Sequence, residues 1–199
     1  MLSKNFFNRS AVVVAKELLG CFLCTKKGKF RIVETEAYEG IKDKASHASR
    51  GKTERNEVMF EGAGTIYIYF TYGMHWMLNI VCGPKGHPGA VLIRGITASP
   101  PSVPLPLLVK EKGVIQKPDL SGPARLTKYL EIDKRLNNQK LGKKVGLWME
   151  ENTDCPKIRG RAKMVNQQKS IITRTPRIGV AYAGPIWSQK KWRFVLKEI

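Results

Sequence analysis

The sequence predicts an α+β fold: a single mixed domain over residues 1–199, with a predominantly antiparallel, curved β-sheet, several flanking helices and a protruding β-hairpin. Three observations favour this fold class. Residues 31–40 alternate in polarity as a strand does, because successive side chains point to opposite faces. Residues 65–71 and 75–82 have the pattern of two strands joined by a tight turn that contains glycine. The 199 residues are enough for one domain with a full core, or for two small ones.

The first half of the chain is predicted to run in the order helix, two strands, hairpin and strand. Apolar residues recur at helical spacing over residues 11–18, where Ser10 can cap the start of the helix and Gly20 its end. Two strands joined by a turn follow over residues 21–38, and a polar loop then leads to the hairpin. A strand over residues 89–97 could complete an antiparallel meander with the hairpin.

The second half is expected to add a loop, one helix and three strands. Residues 99–118 are rich in proline, which indicates a loop or an extended excursion. A helix is predicted to begin with Ser121 as its cap and Pro123 in its first turn. A basic run separates the first two of the later strands, which are expected over residues 144–151, 178–184 and 191–198.

The charge balance is the most unusual feature of the composition. Lysine and arginine number 35 against 16 aspartate and glutamate residues, so the formal net charge is +19. Such an excess suggests nucleic acid, an anionic membrane surface or an acidic protein as partner, although a solvated basic surface would show it too. No run of about 18 apolar residues occurs, and Lys16 and Glu17 interrupt the apolar N-terminal patch. We therefore expect an intracellular protein without a transmembrane helix or secretory signal.

Metal and thiol chemistry find little support in the sequence. Cys21 and Cys24 form a C-x-x-C pattern, which can indicate zinc or redox chemistry. On a strand this spacing places the two sulfurs on opposite faces, so buried reduced thiols are expected instead. The 3 histidines are scattered, acidic residues are not clustered as a two-metal site requires, and no Walker-type phosphate loop occurs. A serine or cysteine nucleophile paired with a histidine stays open, without an elbow motif to support it.

The strand at residues 31–40 carries a pair of carboxylates that a simple core strand would not have. Two carboxylates and a phenol are expected in line on one face, which points to a site rather than to core packing alone. The alternation predicts one face with Ile32, Glu34, Glu36 and Tyr38, and an opposite face with Val33, Thr35 and Ala37.

Aromatic and polar side chains further along the chain add to this pair. Each has an ordinary explanation alone, because tyrosines are common in strands, a lone amide often satisfies a turn and an arginine can extend to the surface. Together with the basic surface they suggest a pocket that stacks a nucleobase on aromatic walls, with a carboxylate near the sugar. The set comprises Glu36, Tyr38, His47, Tyr67, Tyr69, Tyr72, Asn79 and Arg94.

Several stretches of the sequence together resemble one known family. The alkyladenine DNA glycosylase family, also called methylpurine or 3-methyladenine DNA glycosylase, is similar over nearly the whole chain, in the same order and with similar spacing. The run ETEAY, followed by SHA, RG, T, RN and the YxYxxYG hairpin, is highly specific. The stretches are IVETEAY, ASHASRGKTERN, MF, GTIYIYFTYGMHWMLN, VLIR, SGPARL and RIGVAYAG.

The resemblance implies a monofunctional DNA glycosylase of base excision repair. Such an enzyme turns a damaged purine nucleotide out of duplex DNA and hydrolyses its N-glycosidic bond, which leaves an abasic site. By similarity, Glu36 would activate the attacking water, and Arg94 would help to hold that water and the phosphate. No metal or organic cofactor is implied. We expect a monomer that acts on double-stranded DNA containing damaged purines, in the cytoplasm or nucleoid of a bacterium or the nucleus of a eukaryote, and not at a membrane.

The resemblance also assigns binding roles. Tyr38, His47 and Tyr69 would surround the flipped base. Asn79 would lie at the base edge, where the family is credited with excluding the amino group of guanine. Tyr72 would be the wedge that fills the gap in the duplex. Beside it, Met74 would lie against the DNA, and the candidates for phosphate contacts are Lys52, Thr53, Arg55 and parts of the later basic run.

Two other functions stay open at this point. A non-catalytic basic nucleic-acid-binding protein that retains the fold would fit the charge and the aromatic residues, but it leaves Glu36 unexplained. A metal-dependent nuclease would lose its activity in a chelator, which we do not expect. The sequence does not rank cationic methylpurines against neutral lesions such as hypoxanthine or ethenoadenine.

Overall fold

The computed structural model of the protein describes residues 1–98, 109–111, 114–116, 119–152 and 170–198. Expectations for residues 99–108, for Cys155 and for the basic residues between 153 and 169 lie outside these ranges. The α-helices are α1 (Lys4–Phe7), α2 (Ala11–Leu18), α3 (Pro123–Leu130) and α4 (Gly184–Ser188). The strands are β1 (Phe22–Thr25), β2 (Gly28–Glu39), β3 (Ile66–Thr71), β4 (His75–Cys82), β5 (Gly89–Ala98), β6 (Val109–Glu111), β7 (Val114–Gln116), β8 (Leu147–Glu150), β9 (Ser170–Thr175) and β10 (Arg193–Glu198).

Eight of these strands form one antiparallel sheet. Its order is β3-β4-β5-β2-β1-β8, and β10 pairs with both β2 and β9. Strands β6 and β7 pair separately, within the segment predicted to be a loop. The hairpin of β3 and β4 and its meander with β5 are confirmed, as is the α+β fold class. Short 3₁₀ helices lie in the connections, at His47–Arg50, Glu57–Phe60, Lys134–Leu136, Lys143–Val145 and Ala181–Ala183.

Strand β2 is the centre of the sheet. It pairs with β5 along one edge, and with β1 and then β10 along the other. The segment around Glu36 therefore has a strand on each side, and its backbone is held by two ladders. Helix α2 packs on β2, and α3 packs on β4 and β5. One hydrophobic core joins these helices to the sheet, with Val14, Leu18 and Leu126 all fully buried within it.

The predicted faces of β2 are correct for Glu36 and Tyr38 and wrong for Ile32. Ile32 packs into the same hydrophobic core as Ala37, so the alternation changes phase between them. The pairing with β5 is irregular at this point, where Glu34 lies opposite Gly95. A Cβ at position 95 would lie 3.1 Å from the Cβ of Glu34, so glycine allows the two strands to approach closely there.

Both predicted helices form, with differences at their caps. Ser10 is the N-cap residue of α2, but its hydroxyl donates to Glu39 Oε2 at 2.7 Å. The same oxygen accepts the Val12 N–H at 3.0 Å, so a carboxylate from β2 caps the helix. Pro123 begins α3 as predicted, but the N-cap residue is Gly122 and not Ser121.

The thiol prediction is confirmed for the two cysteines of the C-x-x-C pattern. Cys21 and Cys24 are buried as thiols. Burial, with the nearby Glu150 carboxylate, raises the pKa of Cys24 to about 11, so the thiol is unreactive at neutral pH.

The C-terminal third departs most from the prediction. Residues 178–184 form no strand; they contain a 3₁₀ helix at Ala181–Ala183 and lead into α4. The chain takes positive φ at Gly179 and Gly184, which a regular strand cannot accommodate. Strand β9 lies within the stretch that is recognisable in the sequence only as a basic run, so it is a strand that was not predicted. The strand predicted over residues 144–151 is shorter in the structure, where only β8 forms. The strand predicted over residues 191–198 corresponds to β10.

Thr35 provides a test of the packing between β2 and α2. Its side chain is fully buried, and the hydroxyl donates to the Ala15 carbonyl at 2.8 Å. Thr35→Val keeps the shape but removes the donor, so we expect the free energy of unfolding to fall by about 1–3 kcal/mol. Urea denaturation measures this loss. Thr35→Ser retains the hydroxyl and should be affected less; an equal loss in both variants would show that the bond is not the cause.

Candidate active site

A pocket of about 370 Å³ opens beside the β3–β4 hairpin. Its walls come from β2, β5, the hairpin, the loop that carries His47, the start of α3 and the segment before α4. Elements far apart in the chain therefore meet at one place. The lining residues are Tyr38, Ala45, His47, Met59, Tyr67, Tyr69, Thr71, Tyr72, Met77, Asn79, Ala90, Leu92, Arg94, Pro123, Ala124, Ile178, Gly179, Val180 and Tyr182.

Glu36 lies directly behind the wall of this pocket. Its side chain is 0% exposed and does not itself line the pocket. Oε1 accepts the backbone N–H of Ile178 at 2.8 Å. Oε2 accepts the Tyr38 hydroxyl at 3.0 Å and Nη1 of Arg94 at 3.4 Å. All three donor residues line the pocket, so the carboxylate bonds directly to residues of the pocket wall.

A chain of alternating charges continues from Glu36 across the sheet. Nε of Arg94 donates to Oε1 of Glu34 at 2.9 Å, and Nε of Arg193 donates to the same oxygen at 2.6 Å. The order Arg193, Glu34, Arg94 and Glu36 thus connects β10, β2 and β5. Glu34, which does not line the pocket, accepts a hydrogen bond from Nε of Arg94. Nη1 of Arg94 donates to Glu36.

Burial raises the pKa of Glu36, because desolvation penalises the ionised carboxylate more than its donors favour it. The charge of Arg94, the N–H of Ile178 and the Tyr38 hydroxyl act in the opposite direction. Burial first, and then the Glu36 carboxylate, raise the pKa of Tyr38 well above its ordinary value, so this hydroxyl stays protonated and donates. A buried carboxyl group with a raised pKa beside a pocket is typical of a general base.

His47, Tyr67 and Tyr69 form an aromatic wall. The ring centroids of His47 and Tyr69 are 4.5 Å apart in an edge-on contact, and Nδ1 of His47 lies 3.0 Å from the Tyr67 hydroxyl. Burial, and to a smaller extent Arg55, lower the pKa of His47 to about 4, so the ring is neutral at physiological pH. Burial, followed by the Glu36 carboxylate, raises the pKa of Tyr69 to about 12. The wall therefore carries no charge.

Asn79 presents an amide to the same pocket. Its side chain is 2% exposed, and the amide nitrogen donates to the backbone carbonyls of Tyr67 at 3.3 Å and Met77 at 3.2 Å. Because the nitrogen is occupied in this way, Oδ1 is the group available to an occupant of the pocket.

The hairpin tip holds an aromatic side chain outward. Tyr72 is 82% exposed and has φ 52°, which is uncommon for a residue other than glycine and often marks a functional site. Met74 beside it is 66% exposed. Below the tip, the rings of Phe70 and Trp76 pack with centroids 4.4 Å apart and support the hairpin.

The polar loop after His47 is organised by Asn56, a buried residue that sequence reasoning missed. Its amide nitrogen donates to the carbonyls of His47 and Gly51, both at 2.9 Å. Its Oδ1 accepts the N–H of Thr53 at 2.7 Å. The only sequence signal for Asn56 was its place in the RGKTERN stretch.

The basic residues of this loop lie on the surface beside a second depression. Lys52, Thr53 and Arg55 are exposed, and Nη2 of Arg55 donates to the Phe70 carbonyl at 3.2 Å. The depression has a volume of about 640 Å³ and shares His47 and Tyr182 with the first pocket. Its charged lining residues are Lys44, Arg50 and Arg55.

Sequence reasoning also missed two residues behind the pocket and one in its lining. Asp43 and Arg177 form a buried ion pair with both side chains 0% exposed. The sequence pattern places Arg177 only in the basic run and indicates no role for Asp43. Ile178 contributes through its backbone N–H, which no sequence pattern reveals; the RIGVAYAG stretch was the only indication that this segment matters.

The structure brings most of the predicted site residues to one place. Within the described ranges, no three His, Cys, Asp or Glu side chains come together as they would to hold a metal ion. In the same ranges no helix is both long and apolar enough to cross a membrane. Four of the predicted DNA-contacting residues lie outside the pocket, namely Lys52, Thr53, Arg55 and Met74, and Glu36 lies behind it. The predicted residues that line it are Tyr38, His47, Tyr67, Tyr69, Tyr72, Asn79 and Arg94.

Comparison with known proteins gives a consistent result. Residues 5–199 match the family model described as methylpurine-DNA glycosylase. A relative from Prosthecochloris aestuarii is 44% identical over 184 residues, which cover 89% of this chain and 81% of the relative. Relatives from Ehrlichia chaffeensis and Borreliella burgdorferi are 37% and 36% identical, over 100% and 99% of this chain and 94% and 96% of their own lengths. All three are provisionally named 3-methyladenine DNA glycosylase.

Because the pKa of Glu36 is raised, the stability of the folded protein should depend on pH. The folded state holds this proton more tightly than the unfolded state, so the contribution of Glu36 to stability is present at low pH and is lost as pH rises through its folded pKa. Glu36→Gln is neutral at every pH. We therefore expect its melting temperature to exceed that of the wild type at neutral pH, and the difference to shrink as the pH is lowered. A variant less stable than the wild type at neutral pH would show that the donors outweigh burial.

Proposed function

The chain belongs to the methylpurine-DNA glycosylase family, and we propose that its pocket receives a damaged purine nucleotide turned out of duplex DNA. As a member of this family it is a hydrolase that acts on N-glycosyl bonds, with a role in base excision repair. The observation that supports the proposal for the site is a buried carboxylate whose three hydrogen-bond donors all line one aromatic pocket.

In this proposal Glu36, once ionised, takes a proton from the water that attacks C1′ of the sugar. Its charge also stabilises the positive charge that develops on the sugar in the transition state. Each carboxylate oxygen has two lone pairs, and Oε1 accepts a single N–H from Ile178. One acceptor site thus stays available on this oxygen. Arg94 bonds to Glu36 and lines the pocket, which suits a role in holding the water and the phosphate.

The aromatic walls favour a cationic base. An alkylated purine often carries a positive charge, and a cation over an aromatic face gains about 0.5–2 kcal/mol, depending on desolvation. His47 is neutral, so the wall does not repel such a base. The relatives compared above are named for 3-methyladenine, and we propose that alkylated adenine of this kind is among the substrates. A cationic leaving base needs no strong protonation, so a single carboxylate can suffice where glycoside hydrolysis uses two.

The surface around the pocket fits a duplex. Tyr72 stands outward at the hairpin tip and can fill the gap left by a flipped nucleotide, with Met74 beside it. Lys52, Thr53 and Arg55 would contact phosphates, which positions the protein without reading sequence. The net charge of +19 supports such binding. We propose that the protein acts as a monomer and needs no cofactor.

Glu36→Gln tests the chemical role directly. The variant keeps the size of the side chain but cannot accept a proton from water, so we expect single-turnover base release to fall by about 10²–10⁴-fold. Its affinity for duplex DNA with one alkylated adenine should stay close to that of the wild type. Glu39→Gln is the matched control, because Glu39 lies on the same strand but bonds to α2. A Glu36→Gln rate close to that of the wild type would mean that Glu36 is not the base. Tight binding of the damaged duplex by the wild-type protein with no base release would instead favour a non-catalytic binder.

Tyr72→Ala tests the wedge. Removal of the side chain leaves the gap in the duplex unfilled, so binding to damaged duplex should weaken by more than tenfold, or about 1.4 kcal/mol, with a smaller change on a damaged single strand. Fluorescence anisotropy on both DNAs measures the ratio. The exposed Ile171 on β9 offers a control, since Ile171→Ala removes a similar apolar surface elsewhere. Equal losses on duplex and single strand would contradict the role of Tyr72.

A further inference from the structure

Asp43 and Arg177 form a buried, bidentate ion pair beside the pocket. Nη1 of Arg177 donates to Oδ2 of Asp43 at 2.5 Å, Nη2 donates to Oδ1 at 2.9 Å, and both side chains are 0% exposed. The desolvation of two charges often cancels their attraction, so a buried pair is weak evidence for stability. What such a pair does provide is a fixed geometry, because its two parallel bonds allow little movement.

The guanidinium group also holds an aromatic wall of the pocket. Its central carbon lies 4.9 Å from the ring centroid of Tyr38 and 5.0 Å from that of Trp192. The remaining hydrogen bonds run to the backbone carbonyls of Ala37, at 2.9 Å, and Trp187, at 3.3 Å. Tyr38 lines the pocket and Arg177 does not. Arg177 therefore contacts Tyr38 from outside the space that a base would occupy.

The same pair fixes a donor on the carboxylate. Ile178 follows Arg177 in the chain, and its N–H donates to Oε1 of Glu36 at 2.8 Å. An anchored Arg177 side chain leaves the next amide little freedom to move. Asp43 also accepts the N–H of Ala45 at 3.1 Å, and Ala45 lines the pocket. One ion pair thus joins the Glu36 donor, one aromatic wall and a loop of the pocket.

We propose that Asp43 and Arg177 are positioning residues for base excision, which keep the Ile178 N–H on Glu36 and the Tyr38 ring against the bound base. The inference rests on the proposed function, in which Glu36 is the base. Neither side chain is exposed to DNA. Loss of the pair should therefore impair the chemical step and the ionisation of Glu36, and leave binding to undamaged DNA unchanged.

The ionisation of Glu36 depends on groups from every element packed against it. The Asp43–Arg177 pair controls one of the donors that favour the ionised form, the N–H of Ile178. Without that donor the ionised form is less favoured, and the pH at which the excision rate rises should increase. The groups that face Glu36 are Glu34 and Tyr38 on β2, Tyr69 on β3, Arg94 on β5, Arg193 on β10, and Ile178 and Tyr182 in the segment between β9 and α4.

The test is a double variant, Asp43→Asn with Arg177→Met. It removes both charges together, so no unpaired charge is buried, and the two side chains keep about the same volume. We expect the single-turnover rate on an alkylated adenine duplex to fall by about 10- to 100-fold. The rising limb of the pH–rate profile should move to higher pH, and the affinity for undamaged duplex should not change.

Leu23→Ala is the matched control for general destabilisation. Leu23 is fully buried on β1 and does not line the pocket. At a temperature where all the proteins are folded, its rate and pH profile should match those of the wild type. A double variant that also kept the wild-type rate and profile would overturn the inference. A lower rate with an unmoved profile would overturn it too, because a merely structural role predicts that result.

Arg177→Lys provides a second measurement if the double variant does not fold. Lysine keeps the charge beside Asp43 but has neither the paired bonds nor the planar contact with Tyr38 and Trp192. The same fall in rate and shift in profile are expected, and a wild-type profile would again overturn the inference. Glu36→Gln distinguishes a wrong positioning role from a wrong proposed function. If Glu36→Gln loses excision while the Asp43 and Arg177 variants behave as the wild type, only the positioning role is wrong.

Discussion

The site depends on the burial of one carboxylate, Glu36, at the centre of the sheet. A fully buried carboxylate is costly unless donors meet it, and its three donors come from three different places in the chain. Tyr38 lies two residues along the same strand, Arg94 on the neighbouring strand, and Ile178 in the segment before α4. Strands β2 and β5 and the C-terminal segment must therefore all be in place before the carboxylate is satisfied.

This constraint explains why the polar groups near Glu36 occur as linked pairs. Arg94 is shared between Glu36 and Glu34, and Glu34 is shared between Arg94 and Arg193. Each charge thus has an opposite charge beside it, which lowers the cost of placing several ionised groups in a poorly hydrated region. The donors still do not fully offset the cost of burying the ionised carboxylate, since the pKa of Glu36 is raised. A carboxylate held in this costly state is better placed to accept a proton than one on the surface.

The sequence predicted local features well and long-range partners poorly. The period-2 pattern of β2, the hairpin turn at Tyr72 and the helix after Ser10 depend on neighbouring residues, and all three form. The phase change near Ile32 could not be predicted, because it depends on the close approach of Gly95 on another strand. Asp43 and Arg177 are 134 residues apart, so no pattern links them. The prediction of a strand over residues 178–184 failed because glycine conformations, rather than side-chain alternation, decide the path there.

In the proposed reaction, an ionised Glu36 drives water onto the sugar of a flipped nucleotide. The most direct measurement is the single-turnover rate of wild-type base release as a function of pH, from acidic to neutral conditions, on a duplex with one alkylated adenine. If Glu36 is the base, the rate should rise through one ionisation, at a pH above the ordinary range of a glutamate because burial raises the pKa of Glu36. A rate that does not change with pH over this range, while the protein stays folded and bound to DNA, would contradict it.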